Sequence, residues 1–169
     1  MVPIENLQIP RAMDYYKDED GLDWVVYSDI STYEMSRRRL LPEIGVEATT
    51  EVLINSTFHD VEGLAVDWIS FNVYWTDDGY ETVNLARLPR ATLVASDDNY
   101  MRKVLVRGNL SHPRAIALDP IEGMMYWTQW QMARSHPGYH GSIEMAWMDG
   151  SHRSTLVSSK LKQLLKSPL

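Results

Sequence analysis

The chain has 169 residues, 44% of them hydrophobic and 23% charged, the composition of a soluble globular protein with room for a sizeable core. Its net charge of −7 argues against non-specific nucleic-acid binding and against simple docking on anionic lipid, because both need a basic surface. It contains no cysteine, which excludes disulfides, thiolate metal sites and a Cys nucleophile.

The N-terminus, Met1 to Glu5, has neither a basic n-region nor an apolar h-region, so no signal peptide is predicted. No apolar run approaches the roughly 20 residues that cross a bilayer. Read literally, the chain stays in the cytosol, although cysteine content does not decide the compartment. Six Trp and nine Tyr against two Phe suit half-buried strands, where a ring packs and its polar atom finds a hydrogen bond.

Three units follow one another. The first, about residues 10–57, reads Arg11-Ala12-Met13-Asp14 and then Trp24-Val25-Val26-Tyr27-Ser28-Asp29, with an acidic insertion from Lys17 to Asp20. A polar stretch from Arg37 to Thr50 reads as a loop. The second unit, about 58–110, opens on the apolar run Leu64-Ala65-Val66 closed by Asp67, then Val73-Tyr74-Trp75-Thr76-Asp77. The looser strand Val83 to Leu88 follows, then a loop from Pro89 to Tyr100 and the strand Lys103 to Val106. The third unit, about 111–157, repeats the plan. Ile116-Ala117-Leu118 is closed by Asp119, and Tyr126-Trp127-Thr128-Gln129 follows. A loop from Gln129 to His140, the strand Ser142 to Trp147, an Asp149-Gly150-Ser151 turn and the strand Ser154 to Val157 complete it. Residues 161–169 are an unrelated tail that reads as a truncation or read-through.

In the last two units the closing Asp precedes the Tyr by seven residues, and Tyr74 and Tyr126 are 52 residues apart. Tyr27 lies 47 residues before Tyr74. Short apolar runs, β-branched and aromatic segments and Asp- or Gly-marked turns predict four strands per unit. Four short strands per about 40–50 residues is the pattern of a propeller blade.

Tyr74-Trp75-Thr76-Asp77 is the literal YWTD motif, and the stretch from about Pro10 to Lys160 resembles consecutive class B repeats of the low-density-lipoprotein receptor family. The phrases Val61 to Trp68, His112 to Ile116 and Ala146 to Arg153 most resemble the large receptor-related members. The resemblance implies an all-β fold, a partial six-bladed propeller of about three four-stranded blades. It also implies part of an endocytic lipoprotein-receptor-like ectodomain that binds and releases protein ligands without catalysis or a cofactor. The location implied is the extracellular face of the plasma membrane or endosome. A nidogen-like matrix propeller is the alternative, with a propeller hydrolase or lactonase behind it.

The expected structural residues are Tyr74, Trp75, Thr76, Asp77, Tyr126, Trp127, Thr128, Tyr27, Asp29, Asp67 and Asp119. The rings would fill the space between blades, and Thr and Asp would hold backbone N–H groups at strand ends. In the first unit the motif Trp is either replaced by Tyr27 or shifted. Gln129, standing where the motif has Asp, predicts a variant turn. Asn55-Ser56-Thr57 and Asn109-Leu110-Ser111 are N-glycosylation sequons at unit junctions. Trp130, directly after Gln129, is the first candidate for a ligand contact, with Tyr80, Tyr100 and Tyr139 also placed in turns. His59, His112, His136, His140 and His152 are candidate pH sensors against a plain surface role. The acidic pairs at Asp18 to Asp20, Asp77-Asp78 and Asp97-Asp98 read as turn acids, since none lies in a metal-loop motif. Protein ligands are the expected partners, with neither nucleic acid nor membrane insertion.

Overall fold

The computed structural model describes residues 7–40, 50–55, 58–89, 102–132 and 139–158. They form three four-stranded antiparallel sheets, each made of consecutive strands in chain order. The first blade holds β1 (Pro10–Lys17), β2 (Asp23–Asp29), β3 (Glu34–Arg39) and β4 (Thr50–Ile54). The second holds β5 (Val61–Asp67), β6 (Asn72–Asp77), β7 (Thr82–Arg87) and β8 (Arg102–Arg107). The third holds β9 (Pro113–Asp119), β10 (Met124–Met132), β11 (Tyr139–Trp147) and β12 (Ser154–Ser158). Among the described residues there is no helix.

The blades stack face to face, with β5 packed between β1 and β9. Period-2 alternation decides what fills each gap. Val73 and Trp75 point from β6 into the core shared with the first blade, beside Trp24, Val26, Met35, Leu53 and Val61. Tyr74 points the other way, into a second core with Val83, Val106, Met125, Trp127 and Ala146. One tetrapeptide therefore supplies large rings to both blade interfaces.

The three ladders share one register. Met13 pairs with Tyr27, Leu64 with Trp75, and Ile116 with Trp127. Each ladder slips just before this pair, beside Arg11, Glu62 and Arg114. Tyr27 thus occupies the position of the motif Trp, and Val26 that of the motif Tyr. The same register corrects the alignment of Asp14. It pairs with Val26 as Ala65 pairs with Tyr74, so it does not close the strand as Asp67 does. Instead its carboxylate accepts the Val66 N–H at 2.8 Å, tying the first blade to the second. Asp18 takes the turn role, accepting the N–H groups of Asp20 (3.0 Å) and Leu22 (2.8 Å) and the Trp24 indole N–H (2.8 Å). The acidic insertion is this longer turn.

Four other expectations change. Arg37 to Arg39 lies in β3 rather than in a loop, because the Arg37 head finds buried partners. Gln129 makes no turn. Without the Asp side chain that gathers N–H groups at a strand end, β10 runs on to Met132, paired with Tyr139 in β11. Trp130 and Tyr139 are consequently strand residues rather than turn residues. The apolar run of β9 is not buried on both faces, since Ala115 and Ala117 are exposed on the side away from the second blade.

Candidate binding surface

The strands β5, β6, β9 and β10 bring the motif to one end of the blades. Asp77 is wholly buried there. Its carboxylate accepts the N–H groups of His59 (2.9 Å), Asp60 (3.3 Å) and Tyr80 (3.0 Å). The connection into β5 and the turn out of β6 are thereby held by one side chain. Asp29 does the same in the first blade, accepting N–H groups from Gln8 (2.8 Å), Ile9 (3.2 Å) and Ser31 (2.9 Å). Burial alone would raise its carboxyl, but the Ser31 hydroxyl and these three N–H groups outweigh it and hold it below the ordinary value.

Thr76 donates to the Arg114 carbonyl at 2.5 Å, and the Tyr74 hydroxyl donates to the Met148 carbonyl at 3.2 Å. Both bonds cross from the second blade to the third. Burial, then the Asp67 and Asp149 charges, push the Tyr74 phenol up to about 12. Trp75 and Trp127 are 0% and 1% exposed, yet neither indole N–H has a partner among the described residues. The expected hydrogen bond is missing. Arg102 lies 5.2 Å over the Trp75 ring and Arg153 lies 5.4 Å over the Trp127 ring, so the ring faces are used instead. Tyr126 and Thr128 are only partly buried, on the outer face of the third blade. Gln129 is buried and its amide oxygen lies 3.4 Å from the Arg153 guanidinium.

Asp67 and Asp119 sit at the opposite end of the blades. Asp67 accepts the N–H groups of Ile69 (3.0 Å) and Ser70 (3.1 Å), and Asp119 those of Ile121 (3.2 Å) and Glu122 (3.1 Å). Trp68, Ile69, Ile121 and Trp147 are exposed around this turn end.

The motif end also carries a cluster of polar and aromatic side chains around Trp130. His112 stacks on Trp130 with ring centres 4.2 Å apart and planes 12° apart. The His112 Nδ1 lies 2.9 Å from Asp78, and Arg114 lies 5.9 Å from the centre of the Trp130 ring. Arg114 also pairs with Glu62 at 2.5 Å and with Asp78 at 3.5 Å, while Arg11 reaches Glu62 at 3.5 Å. Charges thus alternate across the three slipped positions, Arg11, Glu62 and Arg114. Beside them Tyr80 is exposed and edge-on to His59 at 5.9 Å. Trp130 is half-buried, held by His112 and Arg114 rather than free in a turn. His112 and Arg114 were not legible as neighbours of Trp130. The extension of β10 past Gln129 creates that contact, and no local pattern announces it.

Asn55 and Asn109 are both exposed at this same end. The rest of the Asn55 sequon lies outside the described residues, as do His136, Tyr100 and Asp97-Asp98. His140 is exposed on β11, and His152 lies over Trp147 at 4.1 Å at the turn end. Asp60, Glu62 and Asp78 bring carboxylate oxygens within 4.8 Å of one another. Burial, then the neighbouring Glu62 charge, raise the Asp60 carboxyl.

Three stacked four-stranded meanders, joined by the motif as described, define a segment of a YWTD β-propeller. Residues 72–120, from β6 through β9, match the family of low-density lipoprotein receptor repeat class B, and the chain belongs to this family. It is 36% identical over 124 residues to mouse low-density lipoprotein receptor-related protein 5, covering 73% of this chain and 7% of that protein. Its fold matches a chain of a nidogen/laminin complex with a TM-score of 0.70 at 28% identity, over 92% of this chain and 50% of the other. A 6-phosphogluconolactonase-like structure from Bacteroides uniformis matches at a TM-score of 0.53 and 12% identity, over 88% of this chain and 40% of the other, which is a likeness of fold alone. The chain thus spans half or less of the length of each of these proteins.

Proposed function

We infer that the chain is a protein-binding segment of an extracellular receptor-type propeller, and that the partner docks on the motif end around Trp130. The observation that carries this reading is the Trp130 cluster itself. A half-exposed indole is pre-oriented by a stacked imidazole and a guanidinium, and these are tethered in turn by Asp78 and Glu62. Rigid Trp, Tyr and Arg anchors with little rotamer freedom left to lose are what protein interfaces use. In this reading Tyr74, Trp75, Thr76, Asp77, Trp127, Tyr27, Asp29, Asp67 and Asp119 hold blades and turns in place. Glycans on Asn55 and Asn109 would frame the surface and keep large partners on its inner part.

An endocytic receptor role follows the similarity to the receptor-related protein, and a matrix role follows the similarity to the chain solved in a nidogen/laminin complex. Catalysis is not part of the proposal. The acidic trio at the motif end is tied up by Arg11, Arg114 and His112, which suits a charged rim better than a reaction centre.

The test is interferometry of the chain against a panel of immobilised extracellular proteins that includes laminin. For any member bound, Trp130→Ala should weaken affinity at least about 30-fold, the ~2 kcal/mol of a hot spot. Trp68→Ala, at the turn end, should leave it within twofold. Binding that survives Trp130→Ala and is lost in Trp68→Ala would place the site at the other end. Hydrolysis of a sugar lactone above the uncatalysed rate would overturn the non-catalytic reading.

A further inference from the structure

The second and third blades each place a carboxylate, an amide and an arginine near the motif end, but in different arrangements. Asp77 and Gln129 hold equivalent places, paired with Val61 and Pro113 at the start of the inner strands. Asn84 and Glu144 are equivalent too, since they pair with Trp75 and Trp127. So are Arg102 and Arg153, each two residues before the outer-strand partner of that Asn or Glu, and each over the Trp ring of its own blade. The second blade thus has its carboxylate at the end of the second strand and its amide on the third. In the third blade the two are exchanged.

A partly buried arginine is stabilised by one carboxylate beside it, and either arrangement supplies one. Burial lowers the Arg102 value, and the Asp77 charge opposes that. Arg153 instead reaches Glu144 at 3.2 Å, whose other oxygen accepts the Ser142 and Thr155 hydroxyls at 2.9 Å each. Glu144 therefore lets position 129 be uncharged. The first two blades show what a carboxylate at that position does. Asp29 and Asp77 accept the N–H groups of Ile9 and Asp60, and Ile30 and Asp78, next in the chain, donate to the carbonyls of the same two residues. In the third blade Gln129 directs its amide oxygen toward Arg153 (3.4 Å), and Trp130 donates to the Ser111 carbonyl (3.2 Å), one residue further back than the pattern. His112 stands where Ile9 and Asp60 stand, and it alone of the three has a left-handed backbone (φ 46°). It is the residue whose ring stacks on Trp130.

We propose that Gln129 is the positioning residue of the candidate docking surface, and that Glu144 permits it by taking over Arg153. An acceptor as short as Asp or Asn at position 129 would draw the His112 N–H to the strand end. The His112 backbone would then take the form of Asp60, and its ring would leave Trp130. Gln129 builds the stack by withholding that acceptor. The role in docking rests on the reading of the Trp130 cluster as the docking surface. The geometric step, from Gln129 to the stack, does not.

The stack has a signature that needs no partner. The ring protons of an imidazole 4.2 Å from an indole centre, plane over plane, are shielded by the indole ring current and resonate upfield. NMR of the full chain with labelled histidine should show the His112 ring upfield in the wild type and at its unstacked position in Trp130→Ala. Gln129→Asp with Glu144→Asn, which copies the second blade, should move it to the unstacked position with the β-sheet circular dichroism kept. Gln129→Asn adds the short acceptor without a buried charge, and should do the same should the double variant fail to fold. Gln129→Met, long and without a comparable acceptor, should keep the ring upfield. A His112 ring that stays upfield in the folded acceptor variants overturns the proposal. So does its loss in a folded Gln129→Met, which would credit the Gln amide itself. Against any extracellular protein that the chain binds, the double variant should lose affinity as Trp130→Ala does, at least about 30-fold. Binding indifferent to Trp130→Ala overturns the docking reading, and the ring shifts then judge Gln129 separately.

Discussion

Arg37 is 1% exposed. Its guanidinium meets Glu51 at 2.6 and 2.8 Å, the Tyr16 hydroxyl at 2.9 Å and the Pro89 carbonyl at 2.7 Å, and it lies 4.2 Å over Trp24. Removing one partner of such a pair leaves the other charge buried, at a cost of about 3–5 kcal/mol. Arg37→Met should lower the unfolding free energy read from urea melts by that amount, and Arg37→Met with Glu51→Leu should recover most of it. Equal losses in the single and double variants would show that the pair is not the cause. Tyr74 carries the second prediction at this scale. Its phenol titrates at about 12 in the fold against an ordinary 10.0, because burial and two carboxylates oppose its charge. An acid with a raised folded value favours folding below its unfolded value and loses that contribution as pH rises toward the folded one. Stability should therefore fall between pH 10 and 12, and Tyr74→Phe should remove that part of the slope while losing the bond to Met148. An unchanged slope would assign the alkaline transition to other groups.

Gly63 shows what an element can require of one residue. It sits in β5 where β9 crosses closest, and a Cβ there would meet the Arg114 carbonyl and lie 2.8 Å from the Ile116 N. Backbone on the receiving side does not yield as a flexible side chain does, so Gly63→Ala should cost about 1–3 kcal/mol, as overpacking does. Gly108→Ala, with open space around it, should cost only what its left-handed backbone imposes. Thermal melts of the two variants separate packing from backbone strain, and a Gly63→Ala melt no lower than the Gly108→Ala melt would sink the close-approach argument. The hairpins were the most legible elements. Asp67 and Asp119 announce their turns because a short carboxylate at a strand end gathers the next N–H groups. The first hairpin was less legible. Its cap, Asp18, lies four residues past Asp14, and only the ladder shows which Asp closes the strand. The run Arg37-Arg38-Arg39 reads as the start of a polar loop because three successive heads are charged, and the burial of Arg37 depends on Glu51 in the next strand.

At the scale of the molecule, the blades pack through one tetrapeptide whose neighbours face opposite ways. That is why a repeat visible in sequence becomes a stack rather than three independent sheets: each blade leaves one set of rings for the blade before and another for the blade after. Repeats, strand count, β-class and the YWTD identity were determined by the sequence alone, because period-2 alternation and Asp-marked turns are local and recur at near-constant spacing. The tertiary structure alone decided that Tyr27 holds the Trp position, that Asp14 ties two blades, that Arg37 is core, and that Trp130 stacks on His112. Each of these depends on register and on a partner 14 or more residues away, and a ladder that slips by one residue reassigns every side chain to the opposite face.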